Sequence, residues 1–129
     1  MQEISVLFVV LVVLYTVISG STRMKAGTAQ KMVLNMISTG VMVRVGKVYQ
    51  NYMVHVQPTN EKLVVRAERM ISEITGADRD TAARTLKESK MAVPEAIVMV
   101  SAGCGLERAK EVLQQADGRV RVAIELAKQ

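Results

Sequence analysis

Five apolar positions in the second half of this 129-residue chain return at a fixed interval. Ala82, Leu86, Val93, Ala96 and Ile97 recur 27 residues later as Ala109, Leu113, Val120, Ala123 and Ile124. Within each copy the spacing puts the apolar residues on one face of two short helices joined by a turn. A single copy would leave that face in water. The two copies must therefore pack on each other, with the second helix of the first copy shared between them. The punctuation agrees with this division. Asp78 or Asp80 can cap the first helix, Pro94 suits the first turn of the next, Gly103 and Gly105 end that one, and Asp117 with Gly118 make the last turn.

Half of the residues are apolar but only 3% are aromatic, so the core is aliphatic, built from Val, Leu, Ile, Ala and nine Met. The 17 Lys and Arg exceed the 12 Asp and Glu, and the resulting +5 suits an anionic partner. The excess is spread out, apart from Arg23/Lys25/Lys31 and Arg119/Arg121. With one Phe, three Tyr and no zinc-finger spacing, there is little for bases to stack on, which argues against nucleic acid. The single cysteine, Cys104, permits no internal disulfide, so the cytoplasm is the expected compartment. No histidine lies near it in sequence, and it reads as a small packing residue rather than a reactive thiol.

The beginning of the chain is different in character. Val6 to Leu14 is an unbroken apolar run that continues, through Tyr15 and Thr16, to Ile18. At roughly 13 residues it is short of the ~20 that a membrane-spanning helix needs, and Glu3 precedes it where a secretory leader carries cations. Its β-branched content suits a strand buried on both faces. A hydrophobic helix and a membrane anchor are the alternatives.

Directly after it comes "GSTRMKAGTAQK", residues 20–31. Two glycines, three hydroxyls and three cations in a dozen residues read as a glycine-bracketed turn leading into a helix capped at Thr28. Ser21, Thr22, Arg23 and Lys25 would gather hydroxyl donors and positive charge around the helix start, an assembly suited to phosphate or carboxylate. Neither a P-loop nor GxGxxG is present. From Thr28 to about Gly46, apolar residues occupy most sides of the expected helix, which predicts burial on most sides or, failing that, self-association. Residues 46–60 break the helical period, and Pro58 with Thr59 or Asn60 restarts it. His55, the sole histidine, stands between Val54 and Val56 and reads as a packing residue before a general base.

The stretch "GSTRMKAGTAQKMVLNMISTGVMVRVGKVYQNYMVHVQPTNEKL", residues 20–63, resembles the signature region of the N-acetylmuramic acid 6-phosphate etherases, relatives of the glucokinase regulatory protein. The likeness extends over about residues 17–129 and leaves out the first sixteen or so. It implies a mainly α chain: the end of an α/β sugar isomerase (SIS) domain over 1–58, with a strand or helix and then a long buried helix, followed over 59–129 by a ubiquitin-associated-like helical tail. It also implies a carbon–oxygen lyase of cell-wall recycling that releases D-lactate from a sugar phosphate, acting in the cytoplasm as a homodimer or higher oligomer. Elimination followed by hydration needs no metal and no other cofactor. The catalytic glutamates of such enzymes belong to the upstream SIS core, so this chain alone is expected to be inactive and to carry no catalytic residue. Ser21, Thr22, Arg23 and Lys25 match the signature and are implied to bind substrate. The acids present, from Glu61 to Glu125, fall at caps and solvated helix faces. At His55 the etherases more often show an acid, which puts in doubt any role that acid had. The rival expectations are a non-catalytic, sugar-phosphate-responsive regulatory or helical interaction module, and a small protein anchored in a membrane by residues 4–19.

Overall fold

The computed structural model describes residues 22–129, with backbone alone for 22–25. The apolar run before Ser21, with its strand, helix or anchor alternatives, and Ser21 itself lie outside the described residues. Six helices and a two-stranded hairpin follow: α1 Thr22–Arg44, β1 Val48–Tyr49, β2 Tyr52–Met53, α2 Glu61–Thr75, α3 Arg79–Glu88, α4 Val93–Ala102, α5 Leu106–Gln115 and α6 Val120–Ala127. By contact the chain divides into two compact units, 1–41 and 42–129.

Two expectations about α1 need correction. The helix does not begin near Thr28 after a glycine turn. It already runs through Thr22–Ala26, and Gly27 sits inside it. A single interior glycine costs only about 1 kcal/mol against alanine, and the good helix formers around it outweigh that. Nor is the helix buried. Met32, Met36 and Ile37 are 53%, 63% and 53% exposed. A helix that is apolar on most sides needs neighbours on most sides, and these side chains find none among the described residues.

The unit 42–129 opens where α1 ends in a Schellman cap. The Lys47 N–H donates to the Met42 carbonyl at 2.9 Å, the Gly46 N–H donates to Val43 at 3.1 Å, and Gly46 takes φ +77°. The hairpin follows, antiparallel, pairing Val48 with Met53 and Tyr49 with Tyr52. From sequence only a break in the helical period is legible there. The next helix, α2, starts at Asn60, whose Oδ1 accepts the Leu63 N–H at 2.9 Å. Asn60→Ala should remove about 1 kcal/mol of stability, read as a lower urea midpoint at unchanged slope.

The repeat is written into the backbone hydrogen bonds. Met91 N–H donates to the Leu86 carbonyl at 2.9 Å, and Gly118 N–H to Leu113 at 2.8 Å. Lys90 N–H bonds Lys87 as Asp117 N–H bonds Gln114, and Ala82 bonds Asp78 as Ala109 bonds Gly105. Each of these pairs is offset by 27 residues. Asp78 is the residue that caps α3, accepting the Thr81 N–H at 2.9 Å. Gly103 ends α4 in the left-handed region, whereas Gly105 stands at the N-cap of α5 and does not end α4. The repeated alanines 82, 96, 109 and 123 are all fully buried, which lets the helix backbones approach closely. The central helix α4 buries Val93, Pro94, Ala96, Ile97, Val98 and Met99 and touches each of α2, α3, α5 and α6. Helix α4 is thus the shared helix that the repeat requires.

Candidate functional site

Of the four residues singled out by the sequence, Ser21 lies outside the described residues, while Thr22, Arg23 and Lys25 lie within α1, where only their backbone is described. Helical spacing puts Thr22 and Lys25, three apart, on one side, and turns Arg23 by about 100° from Thr22. Within the described residues, Thr22, Arg23 and Lys25 are therefore positions on a helix turn, and Gly27 lies inside the helix rather than in a bend.

The acids are distributed as surface groups. None from Glu61 to Glu125 is buried. Glu73 accepts from Arg69 Nε and from the Tyr52 hydroxyl, both at 2.8 Å, and so ties the hairpin to α2. Those two donors, Arg69 first, hold its carboxyl below the usual range, while the bond to Glu73 raises the Tyr52 phenol. Glu107 pairs with Lys110 at 2.9 Å and Glu111 with Arg108 at 3.0 Å. Among the described residues no group of three His, Cys, Asp or Glu is placed to hold a metal, and no helix is long and apolar enough to cross a membrane.

The unit 42–129 also carries a cleft of about 1170 Å³, which the sequence did not announce. One wall is the segment after α1, with Lys47, Met53 and His55. The others are the α3–α4 turn, with Lys90 and Met91, the first turn of α4, with Pro94 and Glu95, and α5, with Lys110 and Leu113. His55 is half-buried beside Gly118, and its Nδ1 is enclosed without a hydrogen-bond partner among the described residues. Burial, then the Lys47 charge, push its pKa below the ordinary value, only partly offset by Glu95 and by a weak interaction with the Lys47 backbone that falls short of a well-formed hydrogen bond. The folded protein thus holds this ring neutral where an unfolded chain, titrating near ~6.5, would take up a proton. Stability should be intact above that pH and fall as the solution is acidified through it. The carboxylates with depressed values act in a lower window, below ~4.5. A thermal melt at pH 7 and at 5.5 should show the loss, and His55→Gln should flatten it.

No family model matches the chain. Curated proteins do. An N-acetylmuramic acid 6-phosphate etherase of Geobacillus thermodenitrificans is 60% identical over 109 residues, 84% of this chain and 37% of that protein. One from an Exiguobacterium species is 61% identical over 108 residues, with the same shares, and one from Pectobacterium atrosepticum is 56% identical over 107 residues, 83% of this chain and 35% of that protein. The chain spans little more than a third of the length of these relatives. By sequence it is a relative of the N-acetylmuramic acid 6-phosphate etherases and matches their C-terminal part.

Proposed function

We propose that the chain is the C-terminal part of an enzyme that cleaves the D-lactyl ether of N-acetylmuramic acid 6-phosphate, giving N-acetylglucosamine 6-phosphate and D-lactate. The observation that carries this is 60% identity to an etherase over 84% of the chain. The reaction takes the proton beside the aldehyde of the opened sugar, expels the lactate oxygen with a proton from an acid, and adds water to the resulting double bond. It requires a base, an acid and an anchor for the phosphate, each held in place before reaction. A catalytic carboxyl of this kind is tuned by burial, and the unburied acids from Glu61 to Glu125 are poor candidates for the role. The acid and base therefore come from the part of the relatives that this chain does not match.

What this chain supplies is the phosphate end. Ser21, Thr22, Arg23 and Lys25 provide hydroxyls and cations near the start of α1, a donor set that fits a phosphomonoester. The exposed Met32, Met36 and Ile37 ridge is where a second copy packs in a homodimer. We place the protein in the cytoplasm, where a lone Cys104 stays reduced. The site is tested in the chain fused behind the upstream part of the Geobacillus relative. Arg23→Ala and Lys25→Ala should each raise KM for the sugar phosphate by about tenfold, the worth of one charge-assisted bond, with kcat much less changed. Unchanged KM in both variants would remove these residues from the site.

A further inference from the structure

The cleft of the 42–129 unit is not accounted for by the etherase reading and is independent of it. Two cations at its rim, Lys47 and Lys90, make no ion pair among the described residues, whereas the third, Lys110, is held by Glu107 at 2.9 Å. The half-buried ring of His55 belongs to the same wall as Lys47. The first turn of α4 also faces the cleft. Its N-cap is Ala92, whose side chain can cap nothing, and Pro94 has no N–H, so the Val93 and Glu95 N–H groups are the donors that this turn can offer another acceptor. Around these groups the lining is apolar, from Met53, Met91 and Pro94, and Glu95 supplies an acceptor for a donor group.

We propose that this cleft binds a small organic monophosphate, its phosphate between Lys47, Lys90 and the start of α4, and its hydroxyl-bearing body toward Glu95. Lysine is a point-charge phosphate binder, and a helix start adds directed N–H groups. Glu95, also in that first turn, repels a bare anion, which favours a ligand with hydroxyls over inorganic phosphate.

The test is an amide NMR titration of the whole chain with glycerol 3-phosphate, inorganic phosphate and glycerol in parallel. The expected result is saturable shifts at Lys47, His55, Lys90 and Val93 with glycerol 3-phosphate, a weaker response to inorganic phosphate and none to glycerol. Bound phosphate should also raise the titration midpoint of His55, reversing the push from Lys47. The Lys47→Gln/Lys90→Gln double variant should weaken binding at least tenfold while keeping the native spectrum, because neither lysine holds an ion pair among the described residues. Lys47→Glu serves if that double variant fails to fold. Arg23→Ala with Lys25→Ala should leave this affinity unchanged, so that failure here and failure of the etherase site are told apart. Non-saturable shifts spread over the lysines generally, or binding indifferent to both sets of cleft variants, would overturn the proposal. Equal response to inorganic phosphate would overturn the organic part of it.

Discussion

Leu86→Ala should lower the stability of the 42–129 unit by about 3 kcal/mol, among the largest losses available to a single truncation here. Leu86 is fully buried in the cluster that also holds Ile71, Val93, Ile97 and Val98. Its carbonyl accepts the Met91 N–H that closes the α3–α4 turn. The side chain thus lies in the packing of α3 on α2 and α4, where surrounding helices are held close by the fully buried Ala82 and Ala96 and have little room to collapse onto a void. For a unit of this size the loss corresponds to a fall in Tm on the order of 15 °C. Leu113, its equivalent 27 residues on, is 6% exposed and borders the cleft, so Leu113→Ala should cost less than Leu86→Ala. Equal losses, or a loss at Leu86 under ~1 kcal/mol, would show that the repeat core is not packed as described.

Gly46→Ala should be the second large effect, from two separable causes. Gly46 holds φ +77°, and a Cβ built there would lie 2.7 Å from Arg119 Cγ. Gly76 holds nearly the same angle, φ +74°, with nothing within 4 Å of its Cβ position. Gly76→Ala therefore measures the left-handed strain alone, roughly 1 kcal/mol. Gly46→Ala adds the displacement of Arg119, for a total of about 2–3 kcal/mol. Arg119→Ala in the Gly46→Ala background should recover the difference and leave the strain. If Gly46→Ala and Gly76→Ala cost the same in urea denaturation, the end of α1 does not rest on the start of α6.

The repeat is legible because it is a local signal twice stated. The spacing Ala82, Leu86, Val93, Ala96, Ile97 fixes two helix faces, and Asp78, Pro94 and the Asp117–Gly118 turn mark their ends. The first copy is less plain at its turn. Lys90 and Met91 take left-handed angles, φ 56° and 65°, where the second copy places Asp117 and Gly118. No sequence rule puts two such residues there, and their conformation follows from the Leu86 and Lys87 carbonyls that they cap. The hairpin has a faint signal, Val-Tyr and Tyr-Met around Gln50–Asn51, but two-residue strands lie below what alternation can show. The start of α1 is hidden because a glycine near a helix end signals a turn, whereas inside a helix it is a modest cost that 23 residues absorb. The cleft cannot be read from sequence at all: Lys47, His55 and Lys90 come together only where the fold sets the 46–60 segment, the α3–α4 turn and the start of α4 around one cleft.

If this chain completes a sugar-phosphate enzyme whose acid and base lie elsewhere, it should need that other part to act. D-lactate release from N-acetylmuramic acid 6-phosphate measures this directly, with the purified chain alone and with the chain joined to the upstream part of the Geobacillus relative. The expected result is no D-lactate above the uncatalysed background from the chain alone, and steady release from the joined protein. Release by the chain alone, or a joined and folded protein that releases none, would contradict it.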